Sequence, residues 1–194
     1  YNPQIEWMFM AKCQGKLYAQ EAQLGLQVWE NGFWRTLNNQ DALKKNDPVT
    51  GMIAQPGAAT MIITLRSGLF MLDSSGLRSM ALANLDLFAA SRIYAASAVN
   101  NTHIALGTSS NGLLIIDQQG NIVQKIAKAE GLQNNNVLSL LADAQGNIWL
   151  GLDNGIDMID YNSAVKTINP MQQNGSGYTA LIHEENLYIG TTNS

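Results

Sequence analysis

The 194-residue sequence has few of the residue types on which metal and redox sites depend. It contains one cysteine, Cys13, and two histidines, His103 and His183. A single cysteine excludes an internal disulfide framework and a multi-cysteine zinc site, and we expect Cys13 to be a buried, inert thiol. Neither histidine has a cysteine or carboxylate at metal-ligand spacing, so we expect ordinary strand or turn residues. The sequence predicts no metal and no cofactor.

Positive charge and long apolar runs are also scarce. The formal net charge is −4 and there is no run of Lys or Arg, so a nucleic-acid partner is not expected. No apolar run approaches the roughly 20 residues of a membrane-spanning helix, so we expect this segment to make no direct membrane contact. The sequence starts Tyr1-Asn2-Pro3 without a secretory leader, and we interpret it as a segment of a longer chain.

Catalytic signatures are missing as well. There is no Gly-x-Gly-x-x-Gly, no phosphate loop and no His-Glu-x-x-His, and the serines lack a nucleophile-elbow context. No phospho-acceptor histidine box or receiver-like acidic cluster is visible. We therefore expect a non-enzymatic segment, with any kinase chemistry located elsewhere in the parent chain.

What the sequence does contain is a pattern of short strands, clearest over residues 136–160. Three apolar runs, 137–142, 148–152 and 156–160, are separated by Gly146-Asn147 and Asn154-Gly155. Gly and Asn tolerate the positive φ of tight hairpin turns, so the pattern predicts three antiparallel strands in succession.

This unit recurs at a fixed interval. A glycine opens the third strand of each copy at Gly25, Gly68, Gly112 and Gly155, about 43 to 44 residues apart, which lies in the range of propeller-blade repeats. An acid ends each of these strands, at Glu30, Asp73, Asp117 and Asp160. We interpret the acids as turn caps that bond the downstream backbone rather than as metal ligands.

The repeats predict an all-β fold, a partial β-propeller of about four and a half four-stranded blades of a larger ring. We place the blades at approximately 5–47, 48–91, 92–135, 136–176 and 177–194, the last incomplete, in one domain. No regular helix is predicted, and residues 80–91 are expected to be a connector with at most one helical turn. Tyr18, Trp149 and Tyr188 share one place on the second strand, where we expect aromatic wedges between blades, whereas Ala105 occupies it in the third unit.

The fourth unit carries a recognisable motif. Its residues are Asn136-Val137-Leu138-Ser139-Leu140, Asp143, Gly146-Asn147-Ile148-Trp149-Leu150-Gly151 and Asn154-Gly155-Ile156. This motif resembles the two-component-regulator propeller repeat. Weaker copies lie at 104–108 and 187–191, and the first two units depart from the motif because they have no Trp-x-Gly-Thr.

The resemblance implies a function. Repeats of this family usually form the extracytoplasmic sensor of membrane-anchored regulators of Bacteroidetes, often hybrid histidine kinases, and many of these sensors respond to oligosaccharides. The expected role is therefore periplasmic ligand sensing in signal transduction. Two alternatives stay open: a non-catalytic scaffold for protein interaction or dimerisation, and, ranked last, a propeller lyase or hydrolase.

Topology indicates where a ligand would bind. Turns between second and third strands emerge on the same propeller face as the connections between blades, and these segments are polar here. Amide and carboxylate groups suit sugar hydroxyls, although loops are also polar because they are solvated. The candidate ligand-binding residues are Arg66, Ser109, Asn111, Asn135, Asn136, Asp153 and Asn154.

Two further expectations concern partners. Trp7, Trp29 and Trp34 have rings that stack well on sugars, but packing in or between blades is the preferred interpretation. Because no strand that would close the ring is evident, we also expect exposed blade faces that associate with a second copy or with the remaining blades of the parent protein.

Overall fold

The structure is a computed structural model that describes residues 6–38, 40, 43, 46–82, 85–163, 177–184 and 186–191. The chain divides into two compact units, Tyr1–Asn162 and Ser163–Ser194. The first unit carries the four sheets that form the blades, and the second carries a hairpin.

Every sheet is an antiparallel meander, as the repeat predicts. Blade 1 has β1 (Trp7–Cys13), β2 (Lys16–Glu21), β3 (Gly25–Glu30) and β4 (Phe33–Thr36); blade 2 has β5 (Val49–Ala54), β6 (Thr60–Thr64), β7 (Leu69–Asp73) and β8 (Gly76–Ser79); blade 3 has β9 (Ile93–Ala98), β10 (His103–Thr108), β11 (Leu113–Asp117) and β12 (Ile122–Ile126). Blade 4 shows β13 (Val137–Ala142), β14 (Asn147–Leu152) and β15 (Gly155–Asp160), and the second unit shows β16 (Gly177–His183) paired with β17 (Asn186–Thr191). The predicted all-β propeller is confirmed. The strand predicted at 165–169 lies outside the described residues.

In blades 2 and 3, the acid that ends the third strand stabilises the turn that follows it. Asp117 accepts hydrogen bonds from the backbone N–H groups of Gln119 and Asn121 at 2.9 and 2.8 Å. Asp73 accepts from the N–H of Ser75 at 2.8 Å. The turn-cap interpretation is confirmed for these two acids. It is wrong for Glu30, which forms ion pairs instead, and for Asp160, whose carboxylate makes no hydrogen bond to the described residues.

Side chains on the second and third strands alternate between two neighbouring blades. On β6, Ile62 packs toward blade 1, whereas Met61 and Ile63 pack toward blade 3. All five β6 residues are buried, since both faces of the strand are covered. Three apolar layers result: Tyr18 and Val28 against Ile62 and Phe70, then Met61 and Ile63 against Ile104 and Leu106, then Ala105 and Ile115 against Ile148 and Leu150.

The main departure from the sequence-based expectations is a helix. Residues 80–91, expected as a connector with at most one helical turn, contain α1 (Leu85–Ser91), of about two turns. Phe88 is fully buried in the layer between blades 2 and 3, and this packing stabilises a helix too short to be stable alone. The helix does lie in the connection between two blades. Single 3₁₀ turns occur at Pro56–Ala58 and Lys128–Glu130.

The aromatic wedge is confirmed at Tyr18, which is buried between blades 1 and 2. Trp149 occupies the same register position in blade 4 but is 41% exposed, and its indole Nε1 donates to Asp143 at 2.9 Å. Ala105 is buried against blade 4.

Candidate functional site

The predicted ligand-binding residues lie at one end of the blades, as the topology requires. This end carries the turns between second and third strands and the connections between blades, and we call it the connection face. The opposite end carries the first-to-second and third-to-fourth strand turns, and we call it the hairpin face.

On the connection face of blade 2, Asp47 organises the turn that contains Arg66. The buried Asp47 carboxylate accepts hydrogen bonds from the N–H groups of Arg66 and Ser67 at 2.9 and 2.6 Å. The buried side chain of Gln20 spans to the same connector, donating to the Asp47 carbonyl at 2.9 Å and accepting from the Val49 N–H at 2.7 Å. Within the described part of the chain the Arg66 side chain makes no hydrogen bond or ion pair.

The candidates of blade 3 are tied to the connector before them. Ser109 Oγ donates to the Ser91 carbonyl at 2.8 Å, and Asn111 Nδ2 donates to Ser91 Oγ at 2.8 Å. Asn111 Oδ1 accepts from Lys125 Nζ at 2.8 Å. The structure thus brings Ser109 and Asn111 together, with their polar atoms already engaged.

Blade 4 repeats this arrangement with amides. Asn135 Oδ1 accepts from the Lys128 N–H at 2.7 Å, and Asn136 Nδ2 donates to Asp153 Oδ2 at 2.7 Å. Asn154 Oδ1 accepts from Asn134 Nδ2 at 3.3 Å. Among the described residues, Asn136 Oδ1 is buried without a hydrogen-bond partner. These contacts brace the turn against the connector, so a ligand here must compete with existing hydrogen bonds. Their role in ligand binding stays a prediction.

The hairpin face holds two clefts that the sequence did not predict. The first, of about 550 Å³, opens between blades 1 and 2. Its blade 1 side includes Lys16, Tyr18, Glu30 and Arg35. The second, of about 400 Å³, opens between blades 2 and 3, and its lining includes Asn100, Thr102 and His103.

Charged groups of opposite sign face the first cleft. Glu30 Oε2 accepts from Arg35 Nε at 2.9 Å, and Glu30 Oε1 lies 3.5 Å from Lys16 Nζ. The hydrogen bond from Arg35 lowers the pKa of the Glu30 carboxyl below its ordinary value of 4.5. Burial raises the pKa of the Tyr18 hydroxyl above 10.0, so it is a neutral donor at physiological pH. One signal of this cluster was present in the sequence: Glu30 replaces the aspartate that ends the corresponding strand in the other blades.

The tryptophans of blade 1 form a cluster of their own. Trp34 lies 5.3 Å from Trp7 and 5.2 Å from Trp29 between ring centroids, the second pair edge to face. Trp29 pairs with Trp34 across β3 and β4, on the sheet face opposite Val28, which points to blade 2. The cluster is therefore on the outer face of blade 1, packed within the blade and partly exposed.

Neither a metal cluster nor a membrane-spanning helix is found among the described residues. They contain no group of three or more His, Cys, Asp or Glu side chains placed to hold a metal ion. None of the helices described in the structure has the length and apolar character needed to cross a membrane. Cys13 is buried, and its Sγ lies 3.7 Å from Thr60 Oγ1, as expected of a thiol that packs in the core.

A comparison with protein families supports the motif. Residues 131–154 match the family model described as two component regulator propeller. This stretch covers the connector into blade 4 and its first two strands, so the resemblance drawn from those residues is confirmed. A search of the curated proteins finds no match.

Solved structures with the same fold include two extracellular domains from B. thetaiotaomicron, both described as parts of hybrid two component systems. One is 22% identical with a TM-score of 0.62, over 97% of this chain and 27% of that one. The other is 16% identical with a TM-score of 0.61, over 81% of this chain and 22% of that one. The chain thus spans about a quarter of the length of these relatives.

An enzyme also shares the fold. Virginiamycin B lyase from Staphylococcus aureus is 14% identical with a TM-score of 0.58, over 85% of this chain and 58% of that one. At these identities the likeness shows the fold alone, and a propeller fold does not distinguish a sensor from a lyase. Function must therefore be argued from the sites.

Proposed function

We propose that this chain is a non-enzymatic, ligand-sensing propeller segment of a membrane-anchored regulator of the hybrid histidine kinase type, located in the periplasm and responding to oligosaccharide. The observation that carries the proposal is the match of residues 131–154 to the two component regulator propeller model. The propeller fold, shared with extracellular domains of two component systems, adds support.

The chemistry of the surface is compatible with this role. The clefts of the hairpin face present amides, hydroxyls and charged groups, and such groups exchange hydrogen bonds with sugar hydroxyls. Signalling would need coupling between a bound ligand and an output elsewhere in the parent protein.

Calorimetry against a panel of neutral and acidic mono- and oligosaccharides tests the proposal. We expect heat of binding for at least one member, and calorimetry on a heat-unfolded sample is the control. Absence of binding across the panel, with a folded protein, would contradict oligosaccharide sensing.

The second candidate function is an interaction scaffold. The observation that favours it is a row of exposed apolar side chains, Leu141, Trp149 and Met158, directly paired across the three strands of blade 4. The matching side chains of Ala105 and Ile115 in blade 3 are fully buried, packed against blade 4. Association without ligand binding would favour this alternative over sensing.

A further inference from the structure

We propose that the cleft between blades 1 and 2 on the hairpin face binds a neutral saccharide of one or two rings. This inference rests on the proposed sensing function and names its site. The site is distinct from the connection face, where the sequence places the ligand.

The cleft is a formed concavity between two packed blades. Its volume of about 550 Å³ falls within the range of roughly 300 to 1,000 Å³ that is usual for small-molecule sites. Gln14, at the tip of the first hairpin of blade 1, donates to the carbonyls of Ala59 at 2.7 Å and Gln55 at 3.3 Å in blade 2. These bonds join the two hairpins at the rim, so the cleft does not depend on one mobile loop.

Strand register gathers the polar wall on one face of blade 1. Tyr18 is paired with Val28 across β2 and β3, and Val28 is paired with Arg35 across β3 and β4. Lys16 and Glu30 lie two residues from Tyr18 and Val28, and therefore point to the same side. The Glu30 carboxylate therefore lies between the Lys16 ammonium and the Arg35 guanidinium, which places hydrogen-bond acceptors and donors side by side.

Tyr18 supplies an independent sign of a missing partner. Only 6% of its surface is exposed, yet its hydroxyl makes no hydrogen bond within the described part of the chain. Some side-chain oxygens, such as Thr50 Oγ1, are both unpaired and fully shielded from solvent. The Tyr18 hydroxyl is not one of these, so it remains accessible to solvent. Buried tyrosine hydroxyls usually have a hydrogen-bond partner. A ligand hydroxyl in the cleft would provide one.

The charges select the class of ligand. The cleft is lined by two cations, Lys16 and Arg35, and two anions, Glu30 and Asp73, which balance. Asp73 is also paired with Arg78 outside the cleft lining. With Arg78 included, the excess is one positive charge, and every cation already has a carboxylate partner, so the site favours a neutral ligand over a phosphate or an amine. A vicinal diol fits it, since one hydroxyl donates to Glu30 while the next accepts from Arg35.

The test measures affinities for glucose, galactose, mannose, maltose and cellobiose by calorimetry and saturation-transfer NMR, with glucuronate as the charged comparison. Glu30→Gln and Tyr18→Phe keep the size of each side chain and remove one charge or one hydroxyl. We expect Glu30→Gln to weaken binding of a neutral sugar about tenfold or more, as loss of a charge-assisted hydrogen bond does, and Tyr18→Phe to weaken it about threefold to tenfold, as loss of a neutral one does. Asp160→Asn and Tyr94→Phe, matched changes outside the cleft, should leave affinity unchanged.

Three results would overturn the inference, and the first separates its failure from that of the proposed function. If a sugar binds but its affinity responds to Arg66→Ala or Asp153→Asn and not to Glu30→Gln, the ligand sits on the connection face and sensing survives. If none of these sugars nor the wider oligosaccharide panel binds the folded protein, both proposals fail together. Tighter binding of glucuronate than of glucose would exclude a neutral ligand.

Discussion

At the scale of single residues, Asp143 shows how one carboxylate fixes a turn and an aromatic ring. It accepts from the N–H groups of Gln145 and Asn147 and from Asn147 Nδ2, each at 2.9 Å, and from Trp149 Nε1 at 2.9 Å. The hydrogen bonds from Trp149 and then Asn147 lower its pKa to about 2. The folded state therefore favours the ionised form more than the unfolded chain does.

This pKa predicts a pH dependence of stability. Because the pKa of Asp143 is below its ordinary value of 3.8, its stabilising contribution is complete above about pH 4 and is lost as the pH falls toward about 2. Urea unfolding at pH 6 should show that Asp143→Asn has a lower free energy of unfolding than the unsubstituted protein, and this difference should shrink at pH 3. Asp160→Asn, an exposed carboxylate without a hydrogen bond in the described residues, should show a smaller effect. An Asp143→Asn deficit that does not change between pH 6 and pH 3 would contradict the argument.

A second residue, Gln20, is predicted to stabilise the junction of blades 1 and 2. Its amide is fully buried and bonds both the Asp47 carbonyl and the Val49 N–H. Gln20→Leu keeps the volume but leaves both backbone groups unpaired, which should cost about 1 to 3 kcal/mol of unfolding free energy for each group that remains buried. Urea denaturation measures this, with Gln145→Leu at an exposed turn as control. Equal stability of the two variants would mean that water replaces the amide.

At the scale of elements, several repeats share an irregularity in strand pairing as well as their length. The first-to-second strand pair has a register shift at the same place in several copies, between Trp7 and Phe9 in blade 1 and between Val137 and Ser139 in blade 4. The hairpin of the second unit shifts between Gly177 and Thr179. This shared irregularity aligns Tyr18, Met61, Ala105, Trp149 and Tyr188, so the correspondence of three aromatics noted from the sequence is confirmed by register.

The glycine that opens each third strand predicts a position-specific cost of substitution. Gly112 has a φ of +71°, and a Cβ there would collide with the Ile126 carbonyl oxygen. Gly15 has a φ of +76° but open space around it. Both alanine variants carry the strain of positive φ, about 1 kcal/mol or more. Gly112→Ala should be clearly more destabilising than Gly15→Ala in urea titrations, because only the former also collides with backbone. Similar losses of unfolding free energy in the two variants would show that the turn at Gly112 moves to accommodate the added methyl group.

Sequence periodicity predicted these elements well because a strand with both faces covered is apolar at nearly every position, and glycine with Asn or Asp marks the turns. The helix α1 was missed because its stability comes from Phe88 in the layer between two blades, which no local pattern reveals. The cleft around Tyr18 was missed for a similar reason: Lys16, Glu30 and Arg35 meet through cross-strand register. Polar loops on the connection face were visible in the sequence, but the hydrogen bonds that engage Asn111 or Asn136 were not.

At the scale of the molecule, stability comes from blades that cover one another, and the outer faces of blades 1 and 4 carry exposed apolar side chains. The outer face of blade 1 exposes Trp7, Met10 and Trp29. The outer face of blade 4 exposes Trp149 and Met158, where the equivalent positions in blade 3 are buried. These two faces are the two sides of the same repeating interface, so each suits the other on a second copy. The expected contact is head to tail between copies.

The last prediction tests this contact by complementation. Light scattering of the unsubstituted protein should show a mass that rises with concentration. Either Met10→Lys or Met158→Lys should suppress this rise, because each places a charge in one half of the contact. Mixing the two variants should restore a one-to-one complex, because each copy retains the face that the other has lost, while larger species stay absent. Val123→Lys, an exposed apolar site in blade 3 away from both faces, is the control. A monomer at every concentration, or variants that fail to complement each other, would contradict head-to-tail association and with it the scaffold alternative.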